Sequence, residues 1–231
     1  AQAERAVDLA RRYRGFPQAG DAGDLLLIEA LTTLSRIRQM QARYAEAQQH
    51  CAEGTRLVEA ILRKYPRHEQ GLGMQLGLIR TEAVVLQAIG DMEAAGSAFR
   101  RIASLWAANG ESIRDPESRS MTLDHVLCSL ADEAKALVDA GRRAEARVVA
   151  DELRSLLARE AAGTVTKLTK VSAARLEFTM AAVAATDGEP DRQEQCLHEC
   201  LRIIDLVLQE SPEHASGLRA KAMATNSLGI L

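Results

Sequence analysis

Aromatic residues are scarce in this chain: three Phe, three Tyr and one Trp among 231 residues. A core must therefore be filled by Leu, Ile, Val and Ala, and an apolar share of 47% is ample for that. Lysine is confined to Lys64, Lys135, Lys167, Lys170 and Lys221, while arginine is spread along the whole length with no basic block. With a formal charge of −3, that spread argues against nucleic acid as a partner. No apolar run approaches the roughly 18 residues of a membrane span, and no signal peptide is expected. Cys51, Cys128, Cys196 and Cys200 lack the spacing of a disulfide framework, so a reducing cytoplasm is expected. The excess of Arg over Lys, with abundant Ala, suggests a GC-rich bacterial genome.

What is present is helical rhythm. Ile79, Ala83, Leu86 and Ile89 recur at helical spacing, Gly90-Asp91 interrupts, and Met92, Ala95, Phe99 and Ile102 resume it. Two amphipathic helices joined by so short a turn must lie antiparallel with their apolar stripes facing. The unit recurs around Gly141-Arg142 and Gly188-Glu189, and earlier around Ala42-Arg43-Tyr44. From Ala42 to Gly90, Gly141 and Gly188 the steps are 48, 51 and 47 residues. A nearly constant period of this order marks a helical-repeat array.

The segments Arg43-Tyr44-Ala45-Glu46-Ala47, Gly90-Asp91-Met92-Glu93-Ala94-Ala95 and Gly141-Arg142-Arg143-Ala144-Glu145-Ala146 resemble the turn and second-helix start of tetratricopeptide repeats. Ser35, Ala83, Ala134 and Ala181 lie where that family lets its paired helices approach closely, and Pro66 and Pro212 resemble its closing proline. The repeats here are longer than the family's usual 34 residues or so. Arg38, Leu86 and Leu137 stand where it carries an aromatic. The resemblance implies an all-α fold: antiparallel hairpins stacked as a right-handed superhelical solenoid. One repeat domain over 1–231 is expected, with repeats near 24–66, 68–108, 117–161 and 164–211 and partial repeats at both ends, as a piece of a longer protein.

In chain order, the pattern predicts a helix from Gln2 to Arg14, then a loop from Gly15 to Gly23 with Asp24 as the next cap. Helices follow from Leu25 to Gln41 and Tyr44 to Lys64, then His68 to Ile89 and Met92 to Trp106. Asn109 to Ser118 reads as a polar, solvated linker. Further helices run from Arg119 to Ala140, Ala144 to Arg159, Thr164 to Thr186, Asp191 to Gln209 and His214 to Leu231, although Thr164-Val165-Thr166 could open as strand. Ala83, Ala95, Ala134 and Ala146 are expected to face a neighbouring backbone.

Candidate chemistry is thin. Gly71-Leu72-Gly73-Met74-Gln75-Leu76-Gly77 approaches a dinucleotide-binding loop, but a basic, proline-broken stretch precedes it instead of a strand. Small residues allowing close helix contact explain it better. Cys196 and Cys200 share a helix face, yet His198 points away and two thiolates are half a zinc site. His50, His125 and the adjacent Asp132-Glu133 read as a solvated helix face, because neighbours on a helix diverge by about 100°. No catalytic residue, cofactor or metal is assigned.

One pattern stands out. Arg36, Arg80, Lys135 and Arg175 fall on the non-core side of successive first helices, where a ladder of cations could hold the carboxylates of a partner. The expectation is a non-catalytic protein–protein interaction scaffold, binding a peptide, a partner protein or another domain of its parent. A regulatory part of a bacterial signalling protein fits that reading. The alternative is a small-molecule-sensing repeat domain of a bacterial transcription regulator or kinase. Leu228, Ile230 and Leu231 leave self-association through the chain ends open.

Overall fold

Four turns set the local architecture. The computed structural model describes residues 2–160 and 167–230. In it Ala42, Gly90, Gly141 and Gly188 all adopt left-handed backbone, at φ 58°, 94°, 74° and 72°. Each closes its helix with the same pair of bonds. Arg43 N–H donates to the Arg38 carbonyl at 2.8 Å, Asp91 to Leu86 at 3.0 Å, Arg142 to Leu137 at 2.8 Å and Glu189 to Ala184 at 2.9 Å. The left-handed residue itself donates to the carbonyl three before it in every case. These four positions are the ones that the repeat spacing singles out.

The helices are α1 (Gln2–Arg14), α2 (Gly20–Met40), α3 (Tyr44–Lys64), α4 (Glu69–Ile89) and α5 (Met92–Asn109). After a 3-10 turn at Gly110–Ser112 come α6 (Pro116–Asp139), α7 (Arg143–Glu160), α8 (Lys167–Asp187), α9 (Pro190–Glu210) and α10 (Ala215–Leu228). No strand occurs among the described residues. The chain divides into two compact units, Ala1–Val126 and Leu127–Leu231.

In the first unit α2 packs on α1 and α3, α4 packs on α3 and α5, and α2 also touches α4. Val7 and Ala10 of α1 meet Leu27, Leu31 and Leu34 of α2. Ile28, Val58, Ile61 and Leu78 join α2, α3 and α4. Each large aliphatic side chain so buried contributes roughly 1.5–3 kcal/mol. The small positions bring backbones together: Ser35 Oγ donates to the Ala47 carbonyl at 2.8 Å, a direct contact from α2 to α3. In the second unit α8 packs on α7 and α9, and α10 touches both α9 and α8. Ala134, Ala146, Ala150, Leu153, Leu176, Cys200, Ile204 and Val207 are buried.

Two joints between hairpins are duplicates. After α3, His68 Nδ1 accepts from Gly71 N–H at 3.0 Å; after α9, His214 Nδ1 accepts from Gly217 N–H at 3.1 Å. A proline stands two residues before each histidine, and Leu62 or Leu208 packs against the glycine. The α10 helix therefore begins after His214, which caps it.

Three expectations change. The stretch Gly15 to Gly23 is not a loop throughout, since α2 starts at Gly20. Gly23 is helical because it lies against α1, where a Cβ would come within 2.9 Å of Arg14 Cα, and Asp24 pairs with Arg14 at 2.5 Å rather than capping. The segment Asn109 to Ser118 is not a solvated linker either. Ile113 is buried, and the Glu69 carboxylate accepts from the amides of Arg114 and Asp115 at 3.1 and 3.0 Å. Arg119 donates to the Gly110 carbonyl at 2.6 Å and lies over the Trp106 ring. Thirdly, α4 is long and apolar enough to cross a membrane by length and composition alone, the one such helix among the described residues. Its apolar side chains are used in packing on α2, α3 and α5. The Thr164-Val165-Thr166 opening and the Gly163 loop lie outside the described residues.

Candidate functional site

The four cations predicted on the first helices are best taken unit by unit. In the first, Arg36 is an exposed residue of α2 and Arg80 a half-buried residue of α4. Both act on His125 of α6, whose ring lies beside Gly77, with Nε2 3.5 Å from where a Cβ there would sit. Burial is the main cause, and the charges of Arg80 and Arg36 add to it, in holding His125 down to about 4. The imidazole is thus neutral at physiological pH, and the formal positive charge of this trio sits on the two guanidiniums.

This geometry also disposes of the glycine-rich stretch. Gly71, Gly73 and Gly77 are buried within α4. The Gly71 N–H that a phosphate would need is taken by His68, and Gly77 provides the seat for His125.

In the second unit Arg175 of α8 pairs with Asp132 of α6. Lys135 is exposed and pairs with Asp139 of its own helix at 2.5 Å. The reading of Asp132 and Glu133 as a solvated face is overturned, because they are 7% and 1% exposed. Adjacent residues of α6 both find protein around them, and the Arg175 guanidinium offsets the cost of burying the Asp132 charge.

The same unit holds an open cleft of about 650 Å³ that the sequence did not single out. Arg154 of α7 and Glu177 of α8 form one wall, while Arg192, Gln195, Cys196, His198, Glu199 and Arg202 of α9 form the other. Arg154 grips Glu177 with both Nη2 contacts at 3.1 Å, and Arg202 grips Glu199 at 2.7 Å. Arg192, Gln195, Glu199 and Arg202 recur along one face of α9, a signal that was available in the sequence. The cysteines offer no nucleophile here. Burial pushes Cys200 up to about 12, and in the first unit burial pushes Cys51 up to about 11. Among the described residues no three His, Cys, Asp or Glu side chains converge as metal ligands would.

Sequence reasoning also missed Arg38. It is buried between α1, α2 and α3. Its guanidinium donates to Gln41 Oε1 at 2.9 Å, pairs with Glu46 at 3.2 Å and reaches Glu4. Its substitution pattern was visible, since Leu86 and Leu137 fill the corresponding positions.

No family model matches this chain. No curated protein matches it either. Among solved structures it is similar to the crystal structure of BtubC (BKLC) from P. vanneervenii, at a TM-score of 0.66 and 15% identity, covering 97% of this chain and 87% of that one. At such low identity the likeness is one of fold alone.

Proposed function

We propose that this protein is a non-catalytic helical-repeat scaffold that recognises acidic segments of a partner protein through its first helices. The carrying observation is the trio in the first unit: Arg36 of α2 and Arg80 of α4 both add to the burial that keeps one histidine, His125, neutral. Arg36 is exposed on a rigid helix that needs no ordering on binding, so its guanidinium suits charge-assisted capture of a carboxylate, with the charge of Arg80 adding to the local positive field. Stacking supports the superhelical, tetratricopeptide-like reading, because α2 touches α4 and α8 touches α10, first helix against first helix, within each unit. The partner is a peptide segment or another domain of the parent protein, and the setting is the regulatory part of a cytoplasmic bacterial signalling protein.

The test is fluorescence anisotropy with a labelled 15-residue Glu-rich peptide. Saturable binding that Arg36→Glu with Arg80→Glu weakens by about tenfold or more supports the reading, as each lost charge-assisted contact is worth roughly 1.5–3 kcal/mol. Affinity unchanged in that double variant overturns it.

The polar cleft of the second unit favours a second reading, a small anionic effector bound between α7 and α9. Calorimetry with inorganic pyrophosphate, on the native chain and on Gln195→Glu, separates this from peptide recognition. Heat that is lost in the variant supports it, and absence of heat from the native chain removes it.

A further inference from the structure

In a chain so poor in aromatics, where they are placed is informative. Phe99 and Trp106 are buried, as core residues should be. Tyr13 and Phe16 are not: they are 44% and 59% exposed, and Leu9 beside them is 55% exposed. Leu9 and Tyr13 are one turn apart on α1, and Phe16 follows just beyond its end.

Leu9 and Tyr13 lie on a flank of α1 beside its packing face. Val7 and Ala10 point into the core with α2. Arg11 and Arg14 are committed to Glu53 of α3 and Asp24 of α2, at 2.9 and 2.5 Å. At helical spacing, Arg5 and Arg12 lie on the outward side of the Leu9–Tyr13 pair, both exposed, with the exposed Asp8 one turn from each. Neither has an ion-pair partner among the described residues. This flank therefore carries an apolar pair, with Phe16 just past the helix end, bordered by two guanidiniums that outnumber the one carboxylate between them. Tyr and Arg are residue types enriched in protein interfaces, and Leu9 and Tyr13 stand at the i, i+4 spacing by which helices dock.

We infer that the exposed flank of α1, formed by Leu9 and Tyr13 with Phe16 just past the helix end and Arg5 and Arg12 at its margin, docks an amphipathic helix of a partner protein that is apolar on one side and acidic along its edge. Charge complementarity selects this occupant. Two cations against the single carboxylate of Asp8 leave a net positive margin that calls for carboxylates at the rim of the incoming helix, whereas a second copy of this flank would bring two net positive margins together. The surface is separate from the Arg36 and Arg80 trio and stands independently of it.

The test uses the intact chain and a fluorescein-labelled 18-residue amphipathic peptide with Leu along one face and Glu along its flank. Expected is saturable binding that Leu9→Ser with Tyr13→Ser weakens by about tenfold or more, with the thermal melt unchanged because both side chains are exposed. Arg5→Glu with Arg12→Glu should weaken it comparably and reduce its salt dependence, while Arg36→Glu with Arg80→Glu should leave it unaltered. The inference is overturned if the peptide fails to saturate below about 1 mM, or if both α1 double variants bind as the native chain does. It is equally overturned if light scattering shows self-association that Leu9→Ser with Tyr13→Ser abolishes, since the occupant would then be a second copy.

Discussion

Ala42 and Gly90 hold the same left-handed station in successive hairpin turns, at φ 58° and 94°. Gly141 and Gly188 hold it in the next two, so Ala42 is the one non-glycine residue with positive φ among the described residues. A side chain there works against the steric preference of L-residues, at about 1 kcal/mol or somewhat more.

Ala42→Gly should therefore stabilise the chain, by roughly 0.5–1 kcal/mol once the extra freedom glycine gives the unfolded state is subtracted. The reverse change, Gly141→Ala, should destabilise it by about 1 kcal/mol. Urea denaturation midpoints check both, and a loss of stability in Ala42→Gly would contradict the turn geometry.

Arg38 can be separated from its neighbours by two substitutions. Arg38→Ala leaves a cavity and strands polar groups, so a loss of about 2–4 kcal/mol is expected. Arg38→Leu installs the residue found at the equivalent positions 86 and 137. It should fall within about 1 kcal/mol of the native chain or exceed it, because Glu4 and Glu46 remain largely solvated without their partner. Chemical denaturation of the pair decides whether the charge or the volume is what the site needs.

The histidine caps predict a local effect. His68→Ala should cost about 1 kcal/mol through the lost acceptor for Gly71 N–H, and His68→Asn should restore most of it. Hydrogen exchange at Gly71 should quicken in the alanine variant and stay close to native in the asparagine variant.

His125 sets a pH dependence. Its folded-state value lies near 4, below an ordinary 6.5, chiefly through burial and then through Arg80 and Arg36. A group depressed on folding contributes stability that is complete above its unfolded value and is lost as pH falls toward the folded one. Stability should therefore decline between about pH 6.5 and 4, by roughly 3 kcal/mol at most. His125→Gln should flatten that part of the profile in melts taken at stepped pH.

Much of the fold was legible because its punctuation is local. A left-handed turn needs glycine or a small residue, and a closely packed hairpin needs Ser35, Ala83, Ala134 and Ala181; both demands appear residue by residue. Gly23 misled because a glycine required for close approach to Arg14 looks, in sequence, like one required for a loop. The linker misled because what pins it, Glu69, lies some 45 residues away. The same limit applies to the candidate site. Helical phase placed Arg36 and Arg80 outside the core, but only the packing of α6 reveals that they share His125, and nothing local announced that Asp132 and Glu133 would be enclosed.

The twin joints at His68 and His214 carry an evolutionary corollary. Because the chain leaves α3 and α9 by the same stereochemical route, the start of the next helix is set at both places by the same local rule, a proline, then a histidine two residues on, then a glycine amide for it to cap. A seam written in so few residues can arise more than once in a gene without any long-range change, which accounts for its appearing after both α3 and α9.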